Sequence, residues 1–314
     1  MTRVLLTDSD RFPFDEEDRA RLARAGLELD ELPGHEPARV AAAARGAAAI
    51  FVYHARFPAE LIERLNGVRV LARCGTGYDN IDVAAARQRG IEVVYVPDYG
   101  VNEVADHTLA LLLAVARKVA IGDRAVRAGL WPAYSELGPI RSLRGRVLGL
   151  LGYGRIARAV AARAQAFGLE PIAHDPFLAE ADVELVGREE LFARADILSV
   201  HAPLTPETRH SVGRAELALM QRAAILVNTS RGPIVDGAAL AEALVAGRPA
   251  GAGLDVFETQ PLRADDPLRR LENVVLTPHA AAYSEEALAE VRKRPLADVL
   301  RVLSGEPPLD PVPR

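Results

Sequence analysis

The sequence contains a single cysteine, Cys74, among 314 residues. One cysteine excludes an intrachain disulfide and a cysteine-based zinc site, so packing must hold the fold, and a reducing, cytoplasmic setting is expected. The sequence also lacks an excess of basic charge, because its formal net charge is −5 and acidic and basic residues are interspersed. Nucleic-acid binding is therefore not expected.

Long hydrophobic runs are lacking as well. The most apolar run, residues 109–116, is less than half of the roughly 18 residues needed to span a bilayer, and residues 1–7 are too short for the core of a signal peptide. We therefore expect no membrane partner. No metal site is predicted either.

The remaining composition, 49% hydrophobic and 26% charged, is that of a globular protein whose length favours two domains. Short apolar runs alternate with segments of helical periodicity, and parallel strands need crossovers of about a dozen residues or more. We therefore predict an α/β fold with two doubly wound parallel sheets. The predicted strands cover residues 4–7, 27–30, 48–53, 68–73 and 92–96, and then 147–151, 170–174, 197–200, 224–228, 253–257 and 273–276.

A glycine-rich segment, Gly152 to Ala157, follows a predicted strand and opens a predicted helix. Its first glycine permits a tight turn, the second, Gly154, lets the backbone approach a pyrophosphate, and the small third residue lets helix and strand pack closely. Asp175 ends the next strand, where a carboxylate can bind ribose hydroxyls and repel the extra phosphate of NADP. The glycine-rich segment and Asp175 therefore predict that the chain binds NAD as its cofactor. The alternatives are a turn without a ligand, or a methyltransferase, which usually has an acidic residue before its glycines where this chain has leucine.

The two predicted sheets define two domains. Residues 101–284 form the predicted Rossmann NAD-binding domain, and residues 1–100 with 285–314 form a discontinuous, flavodoxin-like substrate domain. The periodicity predicts one long helix over residues 102–122 and a C-terminal helical segment that Pro295 interrupts.

Several blocks of sequence resemble the D-isomer-specific 2-hydroxyacid dehydrogenase family along nearly the whole chain. They are RCGTGYDNID (73–82), NEVADHT (102–108), the glycine segment, NTSRG (228–232), DVFE (255–258) and TPH (277–279). Within the family, YH (53–54), the 73–82 block and HAAAYSE (279–285) most resemble the C-terminal binding protein branch, in which some members are transcriptional corepressors. The resemblance implies an NAD-dependent interconversion of a 2-oxoacid and a D-2-hydroxyacid in the cleft between the domains, and a homodimer formed mainly through the cofactor domains.

The resemblance also implies roles for individual side chains. Arg231 would bind the substrate carboxylate through its planar fork, and His279 would exchange the proton of the hydroxyl group. The implied substrate-binding residues are Arg73, Gly75, Thr76, Gly77 and His54. The implied cofactor-binding residues are Thr108, Gly152, Tyr153, Gly154, Arg155, Ile156, Asp175, His201, Pro203, Thr208, Thr229, Asp255 and His279. A lone histidine at a strand end is more often structural, which is a second interpretation of His54.

Gln260 is the main departure from the family pattern, since members usually place a glutamate 29 residues after the arginine. An amide can orient His279 but cannot stabilise an imidazolium as a carboxylate does, so ketoacid reduction is expected to be slower or to favour lower pH. Formate dehydrogenase, a relative in the same superfamily, carries glutamine there. The other interpretations are that Glu258 substitutes for the missing carboxylate, or that turnover has been lost.

Ala282 is a second departure, because the C-terminal binding protein branch tends to carry tryptophan there. Loss of that ring predicts a larger substrate pocket, unless Tyr53, Tyr99 or Trp131 fills the space. The sequence therefore supports a dehydrogenase first, an NAD(H)-binding regulator of corepressor type second, and formate-like hydride transfer without proton exchange third.

Overall fold

The computed structural model describes residues 2–313, which pack into two compact units. The first unit contains residues 2–99 and 284–313, and the second contains residues 100–283. Each unit is built on one parallel β-sheet. Within residues 2–313, no helix combines the length and the apolar character needed to cross a membrane.

The first unit has a five-stranded sheet in the order β2-β1-β3-β4-β5. Val4 and Leu6 of the first strand belong to one buried apolar layer and Leu5 to another, so the sheet is covered on both faces. The strands are β1 (Thr2–Thr7), β2 (Leu27–Leu32), β3 (Ala49–Val52), β4 (Val70–Arg73) and β5 (Glu92–Val94). The helices are α1 (Glu16–Arg24), α2 (Pro37–Ala43), α3 (Ala59–Ile62), α4 (Val83–Gln88) and, at the carboxyl end of the chain, α11 (Glu285–Leu303).

The second unit has a seven-stranded sheet in the order β12-β11-β10-β9-β6-β7-β8, and all its strand pairs are parallel. The strands are β6 (Val147–Leu151), β7 (Glu170–His174), β8 (Glu184–Leu185), β9 (Ile197–Val200), β10 (Ile225–Asn228), β11 (Gly251–Leu254) and β12 (Val274–Leu276). The α-helices are α5 (Val101–Ala116), α6 (Val119–Arg127), α7 (Arg155–Ala166), α8 (Arg188–Arg194), α9 (Arg214–Leu219) and α10 (Gly237–Val245). Short 3-10 helices cover Gly232–Ile234 and Pro267–Arg270.

The order of the seven strands places the predicted cofactor residues together. The chain reverses its direction of winding between β6 and β9, which is where doubly wound sheets bind dinucleotides, beyond the carboxyl ends of the strands. Gly152, Asp175, His201, Thr229 and Asp255 each follow directly on one of these strand ends. The prediction of two doubly wound parallel sheets is confirmed.

The prediction of one helix over residues 102–122 is wrong. Helix α5 ends at Ala116 and α6 begins at Val119, because Lys118 adopts a left-handed backbone conformation (φ 58°) that a right-handed helix cannot contain. Apolar spacing continues across the break, so the periodicity gave no sign of it.

The predicted interruption at Pro295 is also wrong, since α11 runs through that residue. A proline inside a helix removes one backbone hydrogen bond. Here Pro295 is buried, and Val291, Leu296 and Val299 of the same helix lie in an apolar layer of the first unit. Burial of this face stabilises the helix despite the lost bond.

Candidate active site

The glycine-rich turn joins β6 to α7 with a geometry that fits a dinucleotide. Gly152 has φ 88°, and a Cβ there would lie 2.8 Å from the backbone nitrogen of Ala202, so a side chain would be both strained and obstructed. A Cβ on Gly154 would meet nothing within 4 Å, which leaves the backbone at the start of α7 open to a pyrophosphate.

The first turn of α7 carries two further predicted cofactor residues. Arg155 is exposed, whereas Ile156 is half-buried and packs with fully buried Ala157 in an apolar layer of the second unit. The small third position of the fingerprint therefore lets this helix pack closely on the sheet.

Asp175 follows β7, and both of its carboxylate oxygens accept backbone N–H bonds. Oδ2 accepts from the Tyr153 nitrogen at 2.9 Å, and Oδ1 accepts from the Phe177 nitrogen at 3.0 Å. The carboxylate is thus fixed beside the glycine turn, and each oxygen keeps a lone pair for a ribose hydroxyl. The Tyr153 hydroxyl donates to Asp182 at 2.8 Å, and burial raises the pKa of this buried tyrosine to about 12.

The predicted cofactor residues His201, Pro203 and Thr208 lie in the segment that follows β9. The Nε2 atom of His201 is 2.8 Å from the Ser199 hydroxyl, and burial lowers the pKa of His201 to about 4. The ring is therefore neutral at pH 7. The Thr208 hydroxyl donates to the Pro203 carbonyl at 2.6 Å and so closes this segment on itself.

Thr108 and Thr229 form a hydrogen-bonded pair between α5 and the end of β10. The hydroxyl of fully buried Thr108 donates to the Val104 carbonyl at 2.7 Å and lies 2.8 Å from the Thr229 hydroxyl. A hydroxyl has one proton, so Thr229 is the donor in the second bond. Contact of either residue with NAD stays a prediction.

The turn after β10 sets the position of Arg231. The amide of buried Asn228 accepts from the Ser230 nitrogen and donates to the Arg231 carbonyl, both at 3.0 Å. A Cβ on Gly232 would lie 2.0 Å from the carbonyl carbon of Phe257, so the backbone of this turn packs directly on the segment after β11. Sequence reasoning missed this role of Gly232, although the residue stands in one of the quoted blocks.

Gln260 and His279 are in contact, as the sequence suggested but could not establish. The Oε1 atom of Gln260 lies 2.7 Å from His279 Nδ1, and its Nε2 donates to the Phe257 carbonyl at 3.4 Å. With the amide in this orientation the histidine must carry a proton on Nδ1. His279 also has φ 56°, an uncommon conformation for a residue with a Cβ, and its backbone N–H donates to the Asp255 carbonyl at 2.8 Å.

Glu258 does not take the place of the missing family glutamate. Its Oε1 accepts from the Gly237 nitrogen at 2.9 Å, and its Oε2 lies 3.0 Å from Nε2 of His210. Both carboxylate oxygens are therefore engaged with other elements of the second unit. Glu258 and His210 brace the segment that carries Gln260, which sequence reasoning did not foresee.

Asp255 stabilises the loop that carries His279 by accepting hydrogen bonds from it. This fully buried carboxylate accepts from the Thr277 hydroxyl at 2.6 Å and from the nitrogens of Ala280 and Ala281, each at 2.9 Å. His107 joins the group, since its Nε2 lies 2.9 Å from the Thr277 hydroxyl and 3.6 Å from Asp255. The sequence gave no reason to select His107, because its partners lie far along the chain.

The predicted substrate-binding residues of the first unit cluster around the end of β4. A Cβ on Gly75 would lie 2.5 Å from the Arg73 guanidinium, so this side chain folds over the glycine, and it donates to the Cys74 carbonyl. The Thr76 hydroxyl donates to the Val96 carbonyl at 2.9 Å, and Gly77 follows in the same turn. Burial raises the pKa of Cys74 to about 12, so this thiol stays protonated and serves as a packing residue.

His54 lies at the end of β3 beside buried Asp8. The Asp8 carboxylate accepts from the backbone nitrogens of His54 and Ala55 at 3.0 and 3.3 Å and from His35 Nδ1 at 2.7 Å. The backbone of His54 thus has a structural role, and substrate binding by its ring stays a prediction. Across residues 2–313 there is no group of three or more His, Cys, Asp or Glu side chains that could hold a metal ion.

Comparison with known proteins identifies the family. The model of the NAD-binding domain of the D-isomer specific 2-hydroxyacid dehydrogenases matches residues 109–281. A glyoxylate reductase from Korarchaeum cryptofilum is 45% identical over 259 residues, which are 80% of this chain and 77% of the relative. The structure of a D-lactate dehydrogenase from Aquifex aeolicus, complexed with NAD and lactic acid, superposes with a TM-score of 0.85 at 28% identity and covers 96% of both chains.

A D-3-phosphoglycerate dehydrogenase from Archaeoglobus fulgidus is 38% identical over 94% of this chain, but the match covers only 57% of that longer relative. The resemblance to the C-terminal binding protein branch in particular stays a prediction. The matched domain contains the glycine turn and the segment from Arg231 to His279. The chain therefore belongs to the D-isomer specific 2-hydroxyacid dehydrogenase family and is an NAD-dependent oxidoreductase.

Proposed function

We propose that this chain reduces small 2-oxoacids to D-2-hydroxyacids with NADH. The observation that carries the proposal is the 2.7 Å contact between Gln260 and His279, which fixes the ring of a histidine at the position of the family's general acid. A neutral amide at this place orients the ring without adding charge.

Arg231 binds the substrate carboxylate in this proposal. Its turn is fixed by Asn228 and by the packing of Gly232 on Phe257, so the guanidinium stands on a rigid support. The nicotinamide of bound NADH supplies hydride to the carbonyl carbon. His279 donates a proton to the carbonyl oxygen in reduction and takes it back in oxidation.

Asp175 supports NADH over NADPH as the cofactor. Its carboxylate is held by two backbone N–H groups beside the glycine turn, where the ribose hydroxyls of NAD fit and an extra phosphate would be repelled. The similarity to the glyoxylate reductase from Korarchaeum cryptofilum favours a short substrate. Whether Ala282 admits a larger 2-oxoacid is tested by the activity with phenylpyruvate.

The test is NADH oxidation by the purified chain with glyoxylate, hydroxypyruvate, pyruvate and phenylpyruvate, with NADH binding measured in parallel. We expect turnover with the short 2-oxoacids, and at least a hundredfold loss of kcat/KM in Arg231→Ala with NADH binding retained. Arg269→Ala, which removes an exposed arginine from a 3-10 helix of the same unit, is the control and should leave turnover unchanged.

Two outcomes would contradict the proposal. Tight NADH binding without turnover on any 2-oxoacid would indicate a regulator. Reduction of NAD by formate, without activity on 2-oxoacids, would indicate hydride transfer without proton exchange. The substrate-binding roles of Arg73, Gly75, Thr76, Gly77 and His54 would be tested in the same assay by their effect on KM.

We also infer that the chain forms a homodimer through its second unit. Helix α6 has no buried residue, and exposed apolar side chains follow along it and the next segment. They are Val119, Val126, Leu130, Trp131 and Tyr134, and the last two are 89% and 94% exposed. An apolar surface of this kind is typical of an interface. Light scattering should give twice the chain mass of 33.8 kDa, and Trp131→Asp should halve it, whereas Leu309→Asp in the first unit should not.

A further inference from the structure

A cavity of about 240 Å³ opens at the amino edge of the seven-stranded sheet. The first residues of three adjacent strands, Ile197, Ile225 and Gly251, line it. The predicted NAD residues follow the carboxyl ends of the same strands, which lie at the opposite edge. The cavity is therefore separate from the candidate active site.

Cationic side chains dominate the polar lining of this cavity. The charged lining residues are Lys118, Arg141, Arg146, Arg222 and a single acid, Asp196. Arg146 donates to Asp196 Oδ1 at 2.9 Å, and the Val147 nitrogen donates to Oδ2 at 3.0 Å, so both oxygens of the one acid are engaged.

The other three cations have no carboxylate to neutralise them. Within residues 2–313, the side chains of Lys118, Arg141 and Arg222 form no hydrogen bond or ion pair. The whole chain has a formal charge of −5, so this local excess of positive charge is not a consequence of overall composition. Such a group of cations around a concavity attracts an anion.

The rest of the lining is apolar. Val115 and Ala116 at the end of α5 form one wall, and Leu143 with Ile197 and Ile225 forms another. The volume is below the roughly 300–1,000 Å³ of pockets that hold drug-sized molecules, so a ligand of metabolite size fits. A bare inorganic ion would leave this apolar surface uncovered.

We propose that this cavity binds a small organic anion with an apolar body and one phosphate or carboxylate group. The guanidinium groups of Arg141 and Arg222 would bind the oxygens through paired N–H donors, and Lys118 would add a third charge. The apolar body would lie against the ends of α5 and of the central strands.

The test is isothermal titration calorimetry of the full-length Arg231→Ala chain with phenyl phosphate and with benzoate, in saturating NADH, so that neither the cofactor site nor the proposed carboxylate site of the substrate competes. Two compounds serve as controls. Inorganic phosphate has the anionic group without an apolar ring, and phenol has the ring without the anionic group. We expect one phenyl phosphate or benzoate per chain, bound at least tenfold more tightly than either control. Its affinity should fall as NaCl increases, because salt screens the exposed arginines. Whichever of the two ligands binds more tightly identifies the preferred anionic group.

Variants locate the site. Arg141→Ala and Arg222→Ala should each weaken binding about tenfold, since each removes a charge-assisted contact. Arg144→Ala is the matched control, because Arg144 is an exposed arginine of the same segment that does not line the cavity. Unchanged affinity in both cavity variants, or equal affinity for inorganic phosphate and phenyl phosphate, would overturn the proposal. Unchanged NADH binding in every variant shows that the fold is intact.

Discussion

Replacement of Gln260 by glutamate tests whether the amide governs proton transfer. The change puts a carboxylate where Gln260 Oε1 now lies, 2.7 Å from His279 Nδ1, without a change of shape. A negative charge at this distance favours the protonated imidazole. Because the protonated ring is the acid in reduction, Gln260→Glu should raise the pH above which reductase activity falls.

The size of the shift follows from charge and exposure. Two unit charges about 4 Å apart interact by about 4 kcal/mol at an effective dielectric constant of 20. Both side chains are exposed in the second unit, however, and exposed ion pairs contribute only about 0.2–1 kcal/mol. Since one pH unit corresponds to about 1.4 kcal/mol, we expect the alkaline limit of reductase activity to rise by about 0.1–0.7 pH units.

The assay is kcat/KM for NADH-dependent reduction of the best 2-oxoacid between pH 5 and 9. Gln260→Met is the matched control, because it keeps the length of the side chain but neither accepts the Nδ1 proton nor carries charge. Gln260→Met should lower kcat, but it should not raise the pH above which reductase activity falls. A profile for Gln260→Glu that coincides with the wild-type profile would refute the assignment of His279 as the proton donor oriented by Gln260.

Three further changes test the supports of the site. Gly232→Ala brings a Cβ to 2.0 Å from the Phe257 carbonyl carbon. Because such overpacking moves the backbone, the variant should lose about 3 kcal/mol of unfolding free energy in urea titrations and should show no turnover. Glu258→Ala removes the bonds to Gly237 and His210; kcat should fall about tenfold with NADH affinity unchanged, and an unchanged kcat would show that the brace is dispensable. His201→Gln should flatten the pH dependence of stability. The folded-state pKa of His201 is about 4 and that of the unfolded chain about 6.5, so wild-type stability is lost as pH falls through this interval, by about 3 kcal/mol in urea unfolding at pH 7 and pH 4.

Most of the fold could be predicted from the sequence because both sheets are buried on two faces. Strands of this kind are nearly continuous apolar runs, and the crossover helices between them have a different period. Two helix boundaries could not be predicted. The break at Lys118 depends on a single backbone conformation, and the continuity of α11 through Pro295 depends on packing against the first unit's sheet. Neither is encoded in local periodicity.

The sequence could also identify some residues of the candidate site but not others. Gly152, Asp175, Arg231 and His279 stand in short blocks of characteristic spacing, so the sequence could select them. His107 could not be selected, because its contact with Thr277 joins residues 170 positions apart. The sequence placed Gln260 at a family position but could not show which way its amide points.

The departure at residue 260 is a change of charge rather than of geometry. The segment of Gln260 is held from one side by Glu258, through Gly237 and His210, and from the other by the close packing of Gly232 under Phe257. These supports do not involve the Gln260 side chain. The amide therefore stands where a carboxylate would stand, and it differs from one in that it carries no negative charge beside the imidazole. A chain that had lost its activity would have no need of a supported loop and a strained histidine, since strained backbone persists only where the surrounding structure maintains it. The geometry thus favours an active enzyme over one that has lost its turnover.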